Sequence, residues 1–328
     1  MRKWRALAIR IVWLAIVCAA QRTLCYPQTS GLPIPERKPS LGVYIPPNEQ
    51  HPALALPIYR KSNHGVYVSV GTERSFIGAA LTEAQALIVI DYDPDAVRFA
   101  NINRALLAAS TDRADYVRLR LHASQDVWRQ RSQELTGEDK ETLVSPPSWT
   151  FWDQKVRKNT WAWNSAFQHF NTEPKHPDDP FFASDYLFDD GLYNHLSRLA
   201  KSSRIWSRVV DLRRDNEVRA FCDDIKSKHL RLGVIDTSDV PSPSEAGTSV
   251  AAHYVMLFSE YAQDDTLFLN TAPAHAQGVV WRYFAFSNRT IRGLDETILK
   301  RWYDIEIKKI ADSPQARALL DDPELTTH

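Results

Sequence analysis

An open, mostly parallel α/β sheet with helices on both faces is the fold predicted by this sequence of 328 residues. Three observations predict it. Gly65 to Val70 is a short apolar run rich in β-branched residues that stops at Gly71, the pattern of a buried strand followed by a turn. Leu87 to Ile90 is a second such run, apolar enough to be covered on both faces, and it ends at Asp91, 20 positions after Gly71. Segments of helical spacing separate and follow these runs, and the alternation resumes between residues 204 and 270, as a parallel sheet with crossover helices requires.

Before the sheet, MRKWRALAIRIVWLAIVCAAQ places basic residues ahead of an apolar segment, with Cys18, Ala19 and Ala20 as small residues at a cleavage position. Residues 1–20 therefore read as a secretory signal, and the protein as exported, periplasmic or extracellular. An uncleaved membrane anchor is the second reading, disfavoured by an apolar stretch too short to span a bilayer comfortably. A hydrophobic N-terminal helix without a targeting role is the third. Residues 26 to 58 carry eight prolines, so residues 21–54 read as a Pro-rich linker. The folded part is then 55–328, long enough for one α/β domain with an insertion.

Within that domain, the strand ending at Val70 and the Gly71 turn lead into a predicted helix from Ser75 to Ala84, whose free N–H groups and positive dipole end face the turn and suit an electronegative ligand group. The second strand ends at Asp91, close to the spacing at which a carboxylate accepts hydrogen bonds from ribose hydroxyls. Asp93 before Pro94 is the pair expected at a helix N-cap and first helical position. Phe99, Ile102 and Leu106 then mark the inward face of a helix reaching about Ser110.

VYVSVGTERSF followed by LIVIDYDPDAV resembles the first two motifs of class I S-adenosylmethionine-dependent methyltransferases, and the whole run is closest to an uncharacterised bacterial family of methyltransferase-like proteins. The resemblance implies a Rossmann-like fold with S-adenosylmethionine as cofactor, the Gly71, Thr72 and Glu73 turn against the methionine end and Asp91 on the ribose. It also implies that Asp211, after the third strand, lies near the adenine, and that Asp185, Asp189 and Asp190 line the pocket on the substrate side. One departure stands out: the methyltransferase turn usually holds two or three glycines, and here Gly71 is followed by Thr72, Glu73 and Arg74, with Gly78 further on.

Residues 111–204 interrupt the alternation. Trp128, Trp149, Trp152, Trp161 and Trp163 fall within 36 positions, with Phe151, Phe167, Phe170, Phe181, Phe182, Tyr186 and Phe188 nearby. Such density either packs a helical insertion onto its host or lines a concave site for a flat ligand. In a methyltransferase-like fold an insertion of this kind covers the substrate side, which makes it a lid candidate.

The alternation returns with Leu192, His195 or Leu196, and Leu199 at helical spacing and a third strand, RIWSRVV, ending at Asp211. Asp189 and Asp190 equally suit a helix N-terminus, and Asp211 a turn or cap. Glu217 to Lys228 reads as a helix and Leu230 to Ile235 as the fourth strand, ended by Asp236, Thr237, Ser238 and Asp239. Ligands of open α/β sheets collect beyond the carboxyl ends of the strands, so these groups face the same crevice as Gly71 and Asp91. The methyltransferase resemblance implies that residues after this strand touch cofactor and substrate, which makes Asp236 the candidate to orient or deprotonate a nucleophile and Ser238 a substrate contact. The competing role of Asp236 is an Asx-type turn. Thr248 to Ala262 reads as a helix, Thr266 to Asn270 as a fifth strand, residues 278 to 286 as an edge strand and IRGLDETILKRWYDIEIKKIA as a long helix.

Lys plus Arg and Asp plus Glu number 40 each; with no net field, nucleic acid is disfavoured as a partner and a small-molecule ligand is expected. His169, His176, His195, His253 and His275 are scattered without metal-ligand spacing, no G-x-S-x-G elbow occurs, and GTERSF lacks the Gly-Lys-Ser/Thr ending of a phosphate loop. His275 follows the fifth strand and either reaches the crevice mouth or lies on the surface. Cys222, in an apolar-periodic segment, reads as a buried thiol, with pairing to Cys25 open after export. Export removes a protein from the compartment where S-adenosylmethionine is made. Two further readings therefore stand beside the methyltransferase: an exported noncatalytic binding module on a degenerate methyltransferase fold, and, more weakly, an NAD-dependent oxidoreductase, which fits Asp91 but lacks G-x-G-x-x-G.

Overall fold

The computed structural model describes residues 52–157, 184–242, 246–274 and 280–312. The signal or anchor of residues 1–20, nearly all of the 21–54 linker, Cys25 and its pairing with Cys222, Trp161, Trp163, Phe167, Phe170, Phe181, Phe182, His169, His176 and His275 lie outside these residues. Among the described residues no helix is long and apolar enough to cross a membrane.

Six strands form one sheet: β1 (Val66–Val70), β2 (Ala86–Asp91), β3 (Ile205–Val209), β4 (Leu232–Asp236), β5 (Leu267–Ala274) and β6 (Val280–Ser287). Their order is β3-β2-β1-β4-β5-β6. The first five are parallel and β6 runs antiparallel to β5. This is an open, mostly parallel, Rossmann-like α/β sheet, whose order reverses at β1 and thereby opens a crevice between the tips of β1 and β4.

Helices α1 (Glu73–Leu81), α2 (Pro94–Ala109) and α7 (Asp190–Lys201) pack on one another over β1, β2 and β3. Helices α8 (Asp215–Ser227), α9 (Thr248–Ser259) and α10 (Glu296–Asp312) form a second group, with α10 against β5. Between α2 and α7 the chain makes α3 (Arg113–Leu121), α4 (Gln125–Arg131), α5 (Gly137–Val144) and α6 (Pro146–Phe151), the last continuing as a π-helical turn through Arg157.

Local chemistry accounts for most of the boundaries. Asp93 Oδ1 accepts the Asp95 N–H at 2.8 Å and Pro94 occupies the first turn, so α2 starts at the predicted cap. Helix α1 begins two residues ahead of the predicted Ser75, because Glu73 and Arg74 are themselves helical and buried. It stops at Leu81, and Glu83 takes a left-handed φ of 49°. Strand β5 runs four residues past the predicted Asn270, since β6 pairs with it along its whole length. The long C-terminal helix begins at Glu296 rather than Ile291, after a separate single turn at Asn288–Ile291.

The described tryptophans of the insertion belong to the main core. Trp128 and Trp152 are fully buried, in one cluster with Phe76, Phe99, Leu143 and Tyr186. Trp152 stacks on Phe99 with centroids 5.3 Å apart and donates its indole N–H to the Arg120 carbonyl at 2.9 Å. Arg157 closes the open end of α3 by donating to the carbonyls of Leu119, Arg120 and Ala123 at 2.7–2.8 Å. Cys222 is buried in α8, and burial pushes its thiol up to about 12, which keeps it protonated at neutral pH.

One close approach sets how α1 lies on the sheet. The Tyr67 side chain of β1 passes beneath α1, and a Cβ at Gly78 would come within 2.1 Å of its hydroxyl oxygen. Gly78→Ala is therefore expected to lower stability by about 1–3 kcal/mol, the usual cost of overpacking, as read from urea midpoints. An unchanged midpoint would mean that Tyr67 moves aside freely.

Candidate functional site

Parallel pairing brings the carboxyl ends of five strands to one rim. Val70 is in register with Ile90, Asp91 with Val209, and Ser69 with Asp236. Gly71, Asp91 and the residues leading to Asp211 therefore follow one another at the neighbouring tips of β1, β2 and β3, and Val210 donates its N–H to the Asp91 carbonyl at 2.9 Å. Asp236 ends β4 on the other side of β1.

Gly71 has φ of 100°, a conformation that L side chains rarely adopt, and a Cβ built there meets no described heavy atom within 4 Å. Among the described residues the space over the turn is open. Asp91 borders it: its carboxylate accepts the Asp93 N–H at 2.9 Å, and the backbone N–H groups of Gly71 and Tyr92 favour its charged form. Burial outweighs them and lifts the Asp91 carboxyl to about 7.

The turn residues after Gly71 point their charges inward. Arg74, in the first turn of α1, makes a two-pronged pair with Asp236, Nε to Oδ2 at 2.9 Å and Nη2 to Oδ1 at 2.6 Å. Tyr67 donates its hydroxyl to the same Oδ2 at 2.6 Å and Ser238, itself left-handed with φ of 52°, its N–H to Oδ1 at 3.0 Å. Burial, and then the Asp236 charge, hold the Tyr67 hydroxyl protonated far above its ordinary range. Asp236 is thus an anchored carboxylate with its Asx-turn bond to Ser238 and a fixed counter-ion, rather than an open base.

Glu73 turns the other way, into the insertion. Arg120 of α3 donates to Glu73 Oε2 at 2.6 Å, and the Tyr186 hydroxyl donates to Oε1. Arg120 also reaches the Tyr116 hydroxyl at 2.9 Å and Asn103 Oδ1 at 3.3 Å. Asp185 belongs to this buried cluster: Oδ1 accepts the Leu187 N–H at 2.8 Å, while Oδ2 has no hydrogen-bond partner among the described residues. Burial, and then the Glu73 carboxylate, push Asp185 up to about 8.

The remaining candidates separate. Thr72 is buried at the N-cap position of α1, without capping it through its side chain. Asp189 is the N-cap of α7 and accepts the Leu192 N–H at 2.8 Å; Asp190, exposed, pairs with Arg113 at 2.6 Å. Asp211 lies at the rim beside Asp91, but its carboxylate is gripped by Arg213, Nε to Oδ1 at 2.8 Å and Nη2 to Oδ2 at 3.1 Å, and that guanidinium sits 5.2 Å from the centre of the Tyr92 ring. The structure brings Gly71, Asp91, Asp211 and Asp236 to one rim, puts Glu73 and Asp185 in one buried cluster behind it, and leaves Asp189 and Asp190 at a helix start.

Arg120 and Arg213 escaped the sequence reading, as did the partners of Arg74 and of the Tyr186 hydroxyl. Arg74 and Asp236 are 162 positions apart, Glu73 and Tyr186 113, and no periodicity links residues at such separations. Arg213, two residues after Asp211, is the one that local charge pattern could have indicated. His253 bridges Asp215 and Glu296 at 2.9 and 3.0 Å, and among the described residues no cluster has the geometry to hold a metal ion.

A family model described as "Domain of unknown function (DUF7790)" matches residues 44–241. No curated protein matches the chain. Among solved structures, an rRNA methyltransferase, aviRa from Streptomyces viridochromogenes, aligns at 11% identity and a TM-score of 0.34, over 69% of this chain and 74% of its own, a likeness too loose to bear on function.

Two stability outcomes follow from these buried charges. Arg74→Met leaves the Asp236 carboxylate buried without its counter-ion and is expected to cost about 3–5 kcal/mol, measured by urea unfolding. For Asp185, the unfolded chain releases the carboxyl proton near pH 4 whereas the folded chain keeps it to about pH 8. Stability therefore falls as pH rises through that window, and the loss is complete above it. Asp185→Asn is expected to flatten the decline and to raise the urea midpoint most at pH 8.5; parallel profiles for the two proteins would contradict the assignment.

Proposed function

The chain belongs to the DUF7790 family, a domain of unknown function, and from that premise we propose that it is a methyltransferase-like protein that binds S-adenosylmethionine at the Gly71 rim. The observation that carries this reading is the space over the left-handed Gly71 turn, open among the described residues and bordered by a buried carboxylate, Asp91, that accepts the Asp93 N–H and has acceptor positions left for ligand hydroxyls. In this reading Gly71 lets the backbone approach the methionine end, and Asp91 accepts from the ribose hydroxyls. Asp211 stands on the adenine side together with Tyr92, once Arg213 releases it. Asp236 fixes α1 through Arg74 and so holds the turn in place; it is a positioning residue. The bound cofactor supplies an electrophilic methyl group, and the protein's part is to align an acceptor with it, which calls for few catalytic side chains.

A second reading, an exported binding module that performs no methyl transfer, is favoured by one feature. Glu73, Arg74 and Asp236 neutralise one another or Arg120, so the turn offers no uncommitted base. Isothermal titration of the full chain with S-adenosylmethionine, S-adenosylhomocysteine and NAD separates the readings. Heat from the first two and none from NAD is expected, with affinity lowered about tenfold or more in Asp91→Ala, the loss of charge-assisted hydrogen bonds. Absence of heat from both sulfur nucleosides would overturn the cofactor assignment, and heat from NAD alone would turn it to the oxidoreductase.

A further inference from the structure

The amino ends of β4 and β5 form the rim opposite Asp91, and there a cavity of about 420 Å³ is lined by Ile225, Lys226, His229, Arg231, Tyr261 and Gln263. Three of these six can carry positive charge and none is acidic. Two carboxylates beside these residues have partners: Asp223 accepts the Tyr261 hydroxyl at 3.0 Å, and Asp265 accepts the Asn63 amide at 3.0 Å and pairs with Arg231, so Lys226 and His229 are the cations not engaged by Asp265.

Lys226 is held differently. Its ammonium lies 5.8 Å from the centre of the Tyr261 ring, near the outer limit for attraction by the ring face. A cation positioned by a ring rather than by a carboxylate keeps its charge for an anion. Lys226 and His229 are both exposed. The end of α8 does not oppose an anion with bare carbonyls, because Lys228, His229 and Leu230 direct their N–H groups onto its last turn at 3.0–3.3 Å, with His229 in the left-handed stop at φ of 53°. Gln263 Oε1 is used by the Leu232 N–H at 2.9 Å, so its amide nitrogen is the group it can offer as a donor.

The volume exceeds what a bare inorganic ion fills and falls within the range of small-molecule sites, about 300–1,000 Å³. Ile225, buried at the base, and the Tyr261 ring supply an apolar wall beside the cations. We infer that this cavity binds a small organic phosphomonoester, its phosphate held by Lys226 and His229 beside the Arg231–Asp265 pair and its carbon body against Ile225 and Tyr261. The site is separate from the Gly71 rim and does not depend on the cofactor reading.

The test is titration of the full chain with phenyl phosphate, inorganic phosphate and benzoate by calorimetry or ligand-observed NMR. Phenyl phosphate is expected to saturate one site and to bind about tenfold more tightly than either of the others. Lys226→Ala is expected to weaken it about tenfold, in line with one charge-assisted hydrogen bond, and Lys226→Arg to restore most of the loss. Because Lys226 is exposed, these variants keep the fold, checked by an unchanged urea midpoint. Absence of saturation, equal binding of inorganic phosphate or benzoate, or a Lys226→Ala variant that binds phenyl phosphate as the wild type does would each overturn the inference.

Discussion

The buried pair between Arg74 and Asp236 ties the first turn of α1 to the end of β4, across the point where the strand order reverses. Two prongs define the angle of the guanidinium as well as its distance, and the Tyr67 hydroxyl adds a third bond to the same carboxylate. Much of the neighbouring geometry depends on this lock. Tyr67 can reach Asp236 only by passing under α1, which is why position 78 has no room for a Cβ. With Arg74 drawn toward β4, Glu73 is left on the side of the helix that faces the insertion, where Arg120 neutralises it. Burial of two ion pairs at one helix start stabilises little by itself, since desolvation offsets the attraction; its effect is to make other arrangements of the turn costly.

The described part of the insertion is for the same reason part of the domain's core. Arg120, Tyr116 and Tyr186 come from the segment between β2 and β3, and they complete the polar cluster begun by Glu73 and Asn103. Trp152 stacks on Phe99 of α2 beside them. Movement of α3 relative to α1 would therefore separate a buried charge pair and expose aromatic surface together. Asp185 is the weak point of this joint: it contributes a second carboxyl to a cluster with a single guanidinium and remains protonated through neutral pH.

At the rim, the same physics leaves a different result. Asp91 is surrounded by backbone N–H groups instead of an arginine, and burial keeps its carboxyl near half-protonated at neutrality. A ligand bringing hydroxyl donors would favour its ionised form, so ligand affinity and the charge of Asp91 are linked. Arg213, bound to Asp211 and lying on Tyr92, occupies the neighbouring position. Under the proposed cofactor reading, exchange of that contact for the ligand's base is part of the cost of binding.

Sequence alone determined the alternation of strands and helices, the parallel sheet, the Asp93–Pro94 start of α2 and the approach of Gly71 to Asp91. Each of these follows from short-range periodicity, a cap or a turn, which act within a few residues. The tertiary structure decided what the charged residues do. Glu73 and Asp236 are both acids beside predicted turns, and nothing in the chain near them reveals an arginine 47 or 162 positions away. Only folding brings those partners within hydrogen-bonding distance, and a buried carboxylate takes its role from the charge it meets there.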